Sequence, residues 1–183
     1  MQREQALALV KERIRTRNLF KHTLAVEAVM RRLAAELGQD QDRWGLAGLL
    51  HDIDYEETKN DPDRHSQLGA DMLAEMGLDE EIVEAVRAHN DRHGLPRTSL
   101  LAKALYSTDP LTGLIVAATL VHPERRLAAV DAQFVLNRFG EKSFARGANR
   151  RAISACEELG MTLERFIQLG LEAMQGIAED LGL

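Results

Sequence analysis

Apolar residues in this chain recur at the spacing of a helix face, and no alternating run is long enough to mark a strand. Leu7, Leu9, Val10 and Ile14 open the pattern with Lys11, Glu12 and Arg13 between them, which fits neither a signal peptide nor a membrane-spanning helix. Leu19, His22, Val26, Val29, Leu33 and Leu37 form the next stripe, closed by Gly38 just past the last turn. Asp40 is placed to cap a short helix through Trp44, Ala47 and Leu50 to His51. Asp61-Pro62 reads as a cap followed by proline at the first helical position, opening a helix through Leu68, Met72 and Met76 to Gly77. Asp79 starts another, with Ile82, Ala85, Val86 and His89 on one face. Past the loop 90–96, a helix from about Thr98 carries Leu101, Ala102 and Leu105 to Asp109, where Pro110 begins the next. Further helices are predicted over 111–121, 125–139, 149–159 and 162–181. The expected fold class is therefore all-α.

Composition narrows the function classes. With 183 residues, 45% hydrophobic and 28% charged, the expectation is one folded domain spanning 1–183, with no repeat and no linker. Aromatics are only 4%, so its core has to be built from Leu, Ala, Val, Ile and Met. A net charge of −6 argues against a nucleic-acid partner held by phosphate neutralisation alone, and leaves a small phosphorylated metabolite allowed. Cys156 is the one cysteine, so no internal disulfide forms, and a cytoplasmic, reducing location is expected. The thiol has no matching local motif and reads as structural. No Walker loop or Gly-x-Gly-x-x-Gly cradle is present; Gly45, Gly48 and Gly113 read as close helix packing.

The chemistry gathers at six positions: His22, the adjacent pair His51-Asp52, His65, His89 and Asp109. Each histidine, and Asp109, shares a stripe with apolar residues and so faces inward. One inward histidine is ordinarily satisfied by backbone partners, but an inward carboxylate is costly unless paired. Four imidazoles and two carboxylates together need one another or a cation to neutralise them, and the mixture suits Fe, Mn or Zn, as one ion or two. His51 and Asp52 project about 100° apart on an ideal helix, so both reach one ion only if the helix ends there. Ile53-Asp54-Tyr55-Glu56 does break the stripe.

The ordered sextet resembles the HD superfamily of metal-dependent phosphohydrolases over about 18–113. The resemblance implies a single-domain helical bundle of the HD type, with 114–183 as additional C-terminal helices. It implies a first ion on His22, His51, Asp52 and Asp109, and Asp52 bridging to a second on His65 and His89. Asp52 then counts as catalytic as well as a ligand. Fe, Mn or Zn come first as the metal, with Co, Ni and Mg also allowed. Two departures stand out: Asp54 replaces the glycine of the common His-Asp-Ile-Gly form, and the Gly-Tyr-Pro element of cyclic-dinucleotide phosphodiesterases is absent, which disfavours cyclic di-GMP.

Two divalent ions against two carboxylates leave a positive site matched to phosphate, with metal-activated water as nucleophile and no protein nucleophile required. The implied function is hydrolysis of a nucleotide or small phosphate ester. The alternatives are a mixed-valence di-iron oxygenase in the same ligand cage and a non-enzymatic ligand-sensing domain. Glu56, Glu57 and Asp61 follow the His-Asp pair and are candidates to protonate a leaving group, although a solvated acidic loop reads more simply. His93 and His122 read as surface residues. From 125 to 151, seven basic residues face two acidic ones, and Arg146 and Arg150 are the candidate substrate-binding residues, clamping further phosphates.

Overall fold

The computed structural model describes residues 1–183, all helices and turns with no strand. Eleven α-helices run α1 (Arg3–Arg13), α2 (Arg17–Glu36), α3 (Gln41–Leu50), α4 (Tyr55–Thr58), α5 (Gln67–Glu75), α6 (Glu80–Ala88), α7 (Leu100–Val121), α8 (Ala132–Gly140), α9 (Arg150–Ser154), α10 (Leu163–Gln175) and α11 (Ala178–Leu181). Helix α7 is the hub, packing on α2, α6, α8, α9 and α10, while α2 makes its most extensive contact with α3. By length and composition α7 could cross a membrane, yet 61% of its most apolar window is buried inside the fold. One continuous cluster of buried Leu, Ala, Val and Ile, with Trp44 and Phe166 among them, joins every helix except the short α4.

Several boundaries follow local chemistry. Asp40 accepts amides from Asp42 and Arg43 at the start of α3, Asp79 accepts Glu81 at α6, and Gly38 ends the α2 segment at φ +65°. Helix α3 stops at Leu50, and the amide of Ile53 bonds back to the Leu50 carbonyl, so Asp52 lies in a tightened turn. That is the helix end the His51-Asp52 pair requires.

Other boundaries differ from expectation. The helix predicted from Asp61-Pro62 begins only at Gln67, because Ser66 sits at φ +72° and the Asp54 carboxylate takes the Ser66 and Gly69 amides. Pro110 does not divide α7; the helix runs through it, since burial on several faces outweighs one lost amide. The predicted 125–139 helix reduces to α8 behind the Asp131 cap, after a 3-10 turn at Leu127–Ala129 and Arg125 at φ +51°. The 149–159 segment is α9 followed by a 3-10 turn, and 162–181 breaks into α10 and α11 at Gly176-Ile177.

Of the three packing glycines, Gly48 fits best: a Cβ there would lie 2.9 Å from the Val26 carbonyl and 3.0 Å from the Glu27 Cα. At Gly45 a Cβ would lie 2.6 Å from Nε and 2.9 Å from Cγ of Arg31, so a side chain rather than backbone would have to give, and at Gly113 it would meet nothing within 4 Å, so close packing is not what Gly113 provides. Alanine in place of glycine ordinarily stabilises a helix interior by about 1 kcal/mol. Gly48→Ala is nevertheless expected to lower unfolding stability by about 1–3 kcal/mol, because α2 backbone rather than a side-chain tip must move. Urea unfolding checks this, and an unchanged or raised midpoint would contradict the close crossing.

Candidate metal centre

Five elements converge on one spot. Helix α2 supplies His22, the end of α3 supplies His51 and Asp52, the turn before α5 supplies His65, the end of α6 supplies His89, and the middle of α7 supplies Asp109. Nε2 of His22 lies 3.2 Å from Nε2 of His51, 3.1 Å from Oδ1 of Asp109 and 3.7 Å from Oδ2 of Asp52. Nε2 of His51 is 3.4 Å from that same Asp52 oxygen and 3.9 Å from Asp109. The other Asp52 oxygen, Oδ1, faces Nε2 of His65 at 3.4 Å and Nε2 of His89 at 3.6 Å. Ligand atoms about 2.1 Å from a common ion sit about 3.0–3.4 Å apart, so the spacing suits a cation with modest contraction. The ligand atoms of His51, Asp52 and His89 also lie within 4.8 Å of one another, so the two half-sites adjoin. His51, His89 and Asp52 are buried, whereas the His22 and Asp109 side chains are 23% and 35% exposed and form the open side.

Every imidazole has its rear nitrogen occupied. Nδ1–H of His51 donates to the Gly48 carbonyl at 2.8 Å, and that of His89 to the Val86 carbonyl at 2.6 Å. Nδ1 of His65 donates to Oδ1 of Asp54 at 3.0 Å. The Thr112 hydroxyl gives its one proton to the Asp109 carbonyl at 2.9 Å, so toward Nδ1 of His22, 3.1 Å away, it must accept. All four Nδ1 atoms thus carry a hydrogen and all four Nε2 atoms point inward, where each can offer its lone pair to a metal ion. Lone pairs and carboxylates facing one another need a cation between them, and the donor set fits a divalent metal ion. Burial works against charge on His51, but the Asp52 carboxylate outweighs it and raises its pKa to about 9. Burial likewise opposes ionisation of Asp52 and Asp109, yet the facing histidines hold both below the usual carboxylate range.

Comparison with known sequences agrees with this geometry. The HD domain family matches residues 19–122. This chain belongs to the HD domain family. Ribonuclease Y of Lawsonia intracellularis is 35% identical over 105 residues, which is 57% of this chain and 20% of that protein. Ribonuclease Y of Desulfotalea psychrophila is 33% identical over 73% of this chain and 26% of its own length, and that of Staphylococcus epidermidis is 29% identical over 78% and 28%. The chain therefore spans no more than 28% of the length of these relatives.

The HD core holds groups that sequence reasoning left out. Asp54, noted only as a departure from the usual motif, is fully buried; it orients His65 with Oδ1 and takes the Ser66 and Gly69 amides at 2.8 and 2.9 Å with Oδ2. The Asp-x-Asp spacing after His51 was its only signal. Thr112, one turn after Asp109, does the same for His22. Glu56 does not face the cluster. It accepts the Arg15 and Thr16 amides at 3.2 and 2.8 Å and so fixes the start of α2, the His22 helix. Glu57 pairs with Arg13 at 2.8 Å and Asp61 sits in an exposed turn, so no member of this acidic trio is aimed at the centre.

Arg150 corrects an expectation. Its guanidinium donates to the carbonyls of Phe144, Ala145 and Ala148 at 2.7–2.8 Å and to those of Arg138, Phe139 and Glu141 at 3.2–3.5 Å, so its donors serve the backbone and leave no fork for phosphate. Arg146 remains exposed. His93 is no ligand: its Nε2–H donates to the His65 carbonyl at 2.8 Å and steadies that residue from behind. His122 packs edge-on against Phe134, away from the centre. Burial, with Glu157 adding to it, pushes the Cys156 thiol up to about 11, which leaves it unreactive.

Asp54→Asn tests the orienting role. The amide oxygen can still accept Ser66 and Gly69, but its NH2 then faces Nδ1 of His65 and drives the ring proton to Nε2. The fold should survive, while affinity for metal falls about 10–100-fold. Metal titration with parallel unfolding curves checks this, and unchanged affinity would remove Asp54 from the role. Hydrogen bonds from the Thr16 side chain and amide lower Glu56 from 4.5 to about 2. A carboxyl depressed in the folded state contributes stability above its unfolded pKa and loses it as pH falls through the folded one. Glu56→Gln should therefore be less stable than the parent at pH 7, with the gap closing between about pH 4.5 and 2. Thermal unfolding across that range is the measurement, and a gap independent of pH would contradict it.

Proposed function

We propose that this chain is a metal-dependent phosphohydrolase with a two-ion centre, acting on a nucleotide or small phosphate ester. The observation that carries the reading is the split of Asp52, with Oδ2 toward His22 and His51 and Oδ1 toward His65 and His89. In this reading His22, His51, Asp52 and Asp109 hold one ion, and Asp52, His65 and His89 hold the other. When bound, such ions lower the pKa of a water molecule and stabilise charge on phosphate oxygens.

The residues themselves do the rest. Neutral imidazoles add no charge, so two carboxylates leave the loaded site net positive and attract an anionic ester. The rear hydrogen bonds fix each ring before substrate arrives, which removes reorganisation from the reaction. The buried side, closed by His51, excludes water, and the cleft edged by His65, His89 and Asp109 admits substrate. The relatives bear the name ribonuclease Y, which places RNA phosphodiesters among the esters to screen. The same reading keeps the protein in the cytoplasm, where its single thiol stays reduced.

Metal analysis with a panel of phosphate esters tests the proposal. His51→Ala and Asp52→Ala should each abolish hydrolysis. His65→Ala and His89→Ala should each retain the fold, bind about half the metal and lose most activity. Metal content unchanged in both latter variants would reduce the centre to one ion. Bound iron with oxygen consumption and no hydrolysis would favour the oxygenase, and a metal-free protein that binds a ligand would favour the sensor.

A further inference from the structure

Arg146 and Arg150 read from sequence as the phosphate clamps, and Arg150 instead turns its guanidinium onto the backbone of residues 138–148. Its guanidinium is the hub around which the segment folds. A trans peptide unit that turns its carbonyl toward a cation turns the following N–H away from it. The carbonyls of Glu141, Phe144, Ala145 and Ala148 point at Arg150, so the amides of Lys142, Ala145, Arg146 and Asn149 point outward. None of those four amides has an acceptor within the chain. Ala145 is held at φ +43°, a left-handed conformation unfavourable for a non-glycine residue, which the Arg150 contacts sustain.

The outward face is cationic. Lys142 and Arg146 are exposed and neither makes an ion pair. They line a cavity of about 600 Å³ together with Gly147, Ala148, Asn149 and Arg150, with no carboxylate on its walls. The cleft at the metal centre, about 260 Å³ and bordered by His65, His89 and Asp109, is lined by Gly147 and Asn149 as well. The two cavities therefore adjoin, with Gly147 and Asn149 as wall residues of both. A ligand that fills both has one anionic group at the centre and another at the loop.

We propose that residues 141–149 form a binding site for a second phosphate group of the substrate. Lys142, Arg146 and the outward amides are its donors, and Arg150 is a positioning residue. This rests on the hydrolase reading in seating the first phosphate at the metal centre. It narrows the substrate to esters carrying at least two phosphates, whether adjacent as in a nucleoside polyphosphate or separated by a sugar as in an oligonucleotide.

Calorimetric titration of the full metal-loaded chain tests it with three hydrolysis-resistant probes. They are the phosphonate analogue of AMP, α,β-methylene ADP, and a 5′-phosphorylated diadenylate with a phosphorothioate linkage. At least one two-phosphate probe should bind about tenfold or more tighter than the phosphonate, and which of them does so identifies the phosphate source. Lys142→Glu with Arg146→Glu should erase that advantage. Arg150→Gln should erase it too, and because this substitution endangers the loop's folding, the surface double variant carries the decision. Two-phosphate probes that bind no tighter than the phosphonate, or an advantage that persists in the double variant, would overturn the proposal. An advantage lost in the double variant, from a protein that hydrolyses none of the phosphate esters, would leave the subsite standing and overturn the hydrolase reading alone.

Discussion

The structure is organised by the need to neutralise Asp52. A carboxylate this deeply buried is unfavourable by several kcal/mol unless paired, and its surroundings are four imidazoles with Nε2 turned inward and Nδ1 committed behind. Without a metal ion, a proton retained on His51 is the nearest substitute for a cation, which is why that ring holds it so tightly. The helices are placed to make this cluster: α3 ends where Asp52 must turn, α7 runs unbroken through Pro110 to present Asp109 and Thr112 one turn apart, and α6 stops at His89. The hydrophobic core sets helix positions to within a side chain, and the rear hydrogen bonds then set ring orientations.

The stretch from Asp52 to Glu56 shows how much positioning a short segment can do. Its three carboxylates alternate, and each has a separate task. Asp52 faces the histidines, Asp54 fixes His65 and the first amides of α5, and Glu56 holds the Arg15 and Thr16 amides just ahead of α2. Two of the helices that deliver ligands are thereby tied to the same turn that carries the bridging candidate. A rigid-body shift of α2 or α5 would break a buried or charge-assisted bond before it moved a histidine out of range.

What the chain made legible follows from the range of each signal. Helix faces, the Asp40 and Asp79 caps and the sextet are local or strictly ordered patterns, and the structure brings all six residues together. The start of α5 was misplaced because Asp61-Pro62 is a good local cap, whereas the actual one is a carboxylate more than ten residues upstream. Pro110 misled for a related reason: the penalty is local and the burial that overrides it is not. Asp54 looked only like a departure from the motif and Glu56 like a solvent-facing acid, because nothing in sequence tells a carboxylate that meets water from one that meets backbone amides. Arg146 and Arg150 are four residues apart and chemically identical, and only the fold separates the exposed one from the one spent on carbonyls.

That separation bears on how an acidic protein attracts an anionic substrate. A net charge of −6 repels phosphate at long range, but salt screens such interactions beyond about 8–10 Å, so the local field at the cleft decides. The centre's own carboxylates are matched by cations when metal is bound, and the C-terminal part adds unpaired Lys142 and Arg146 beside the opening. Turning Arg150 onto the backbone does not waste its charge. The six carbonyls around it stabilise the guanidinium while fixing the loop's amides outward, so one half-buried cation is converted into several surface dipoles of the same sense. A flexible arginine at that position would lose conformational entropy on each binding event, whereas a loop already folded around its cation has met that cost before the ligand arrives.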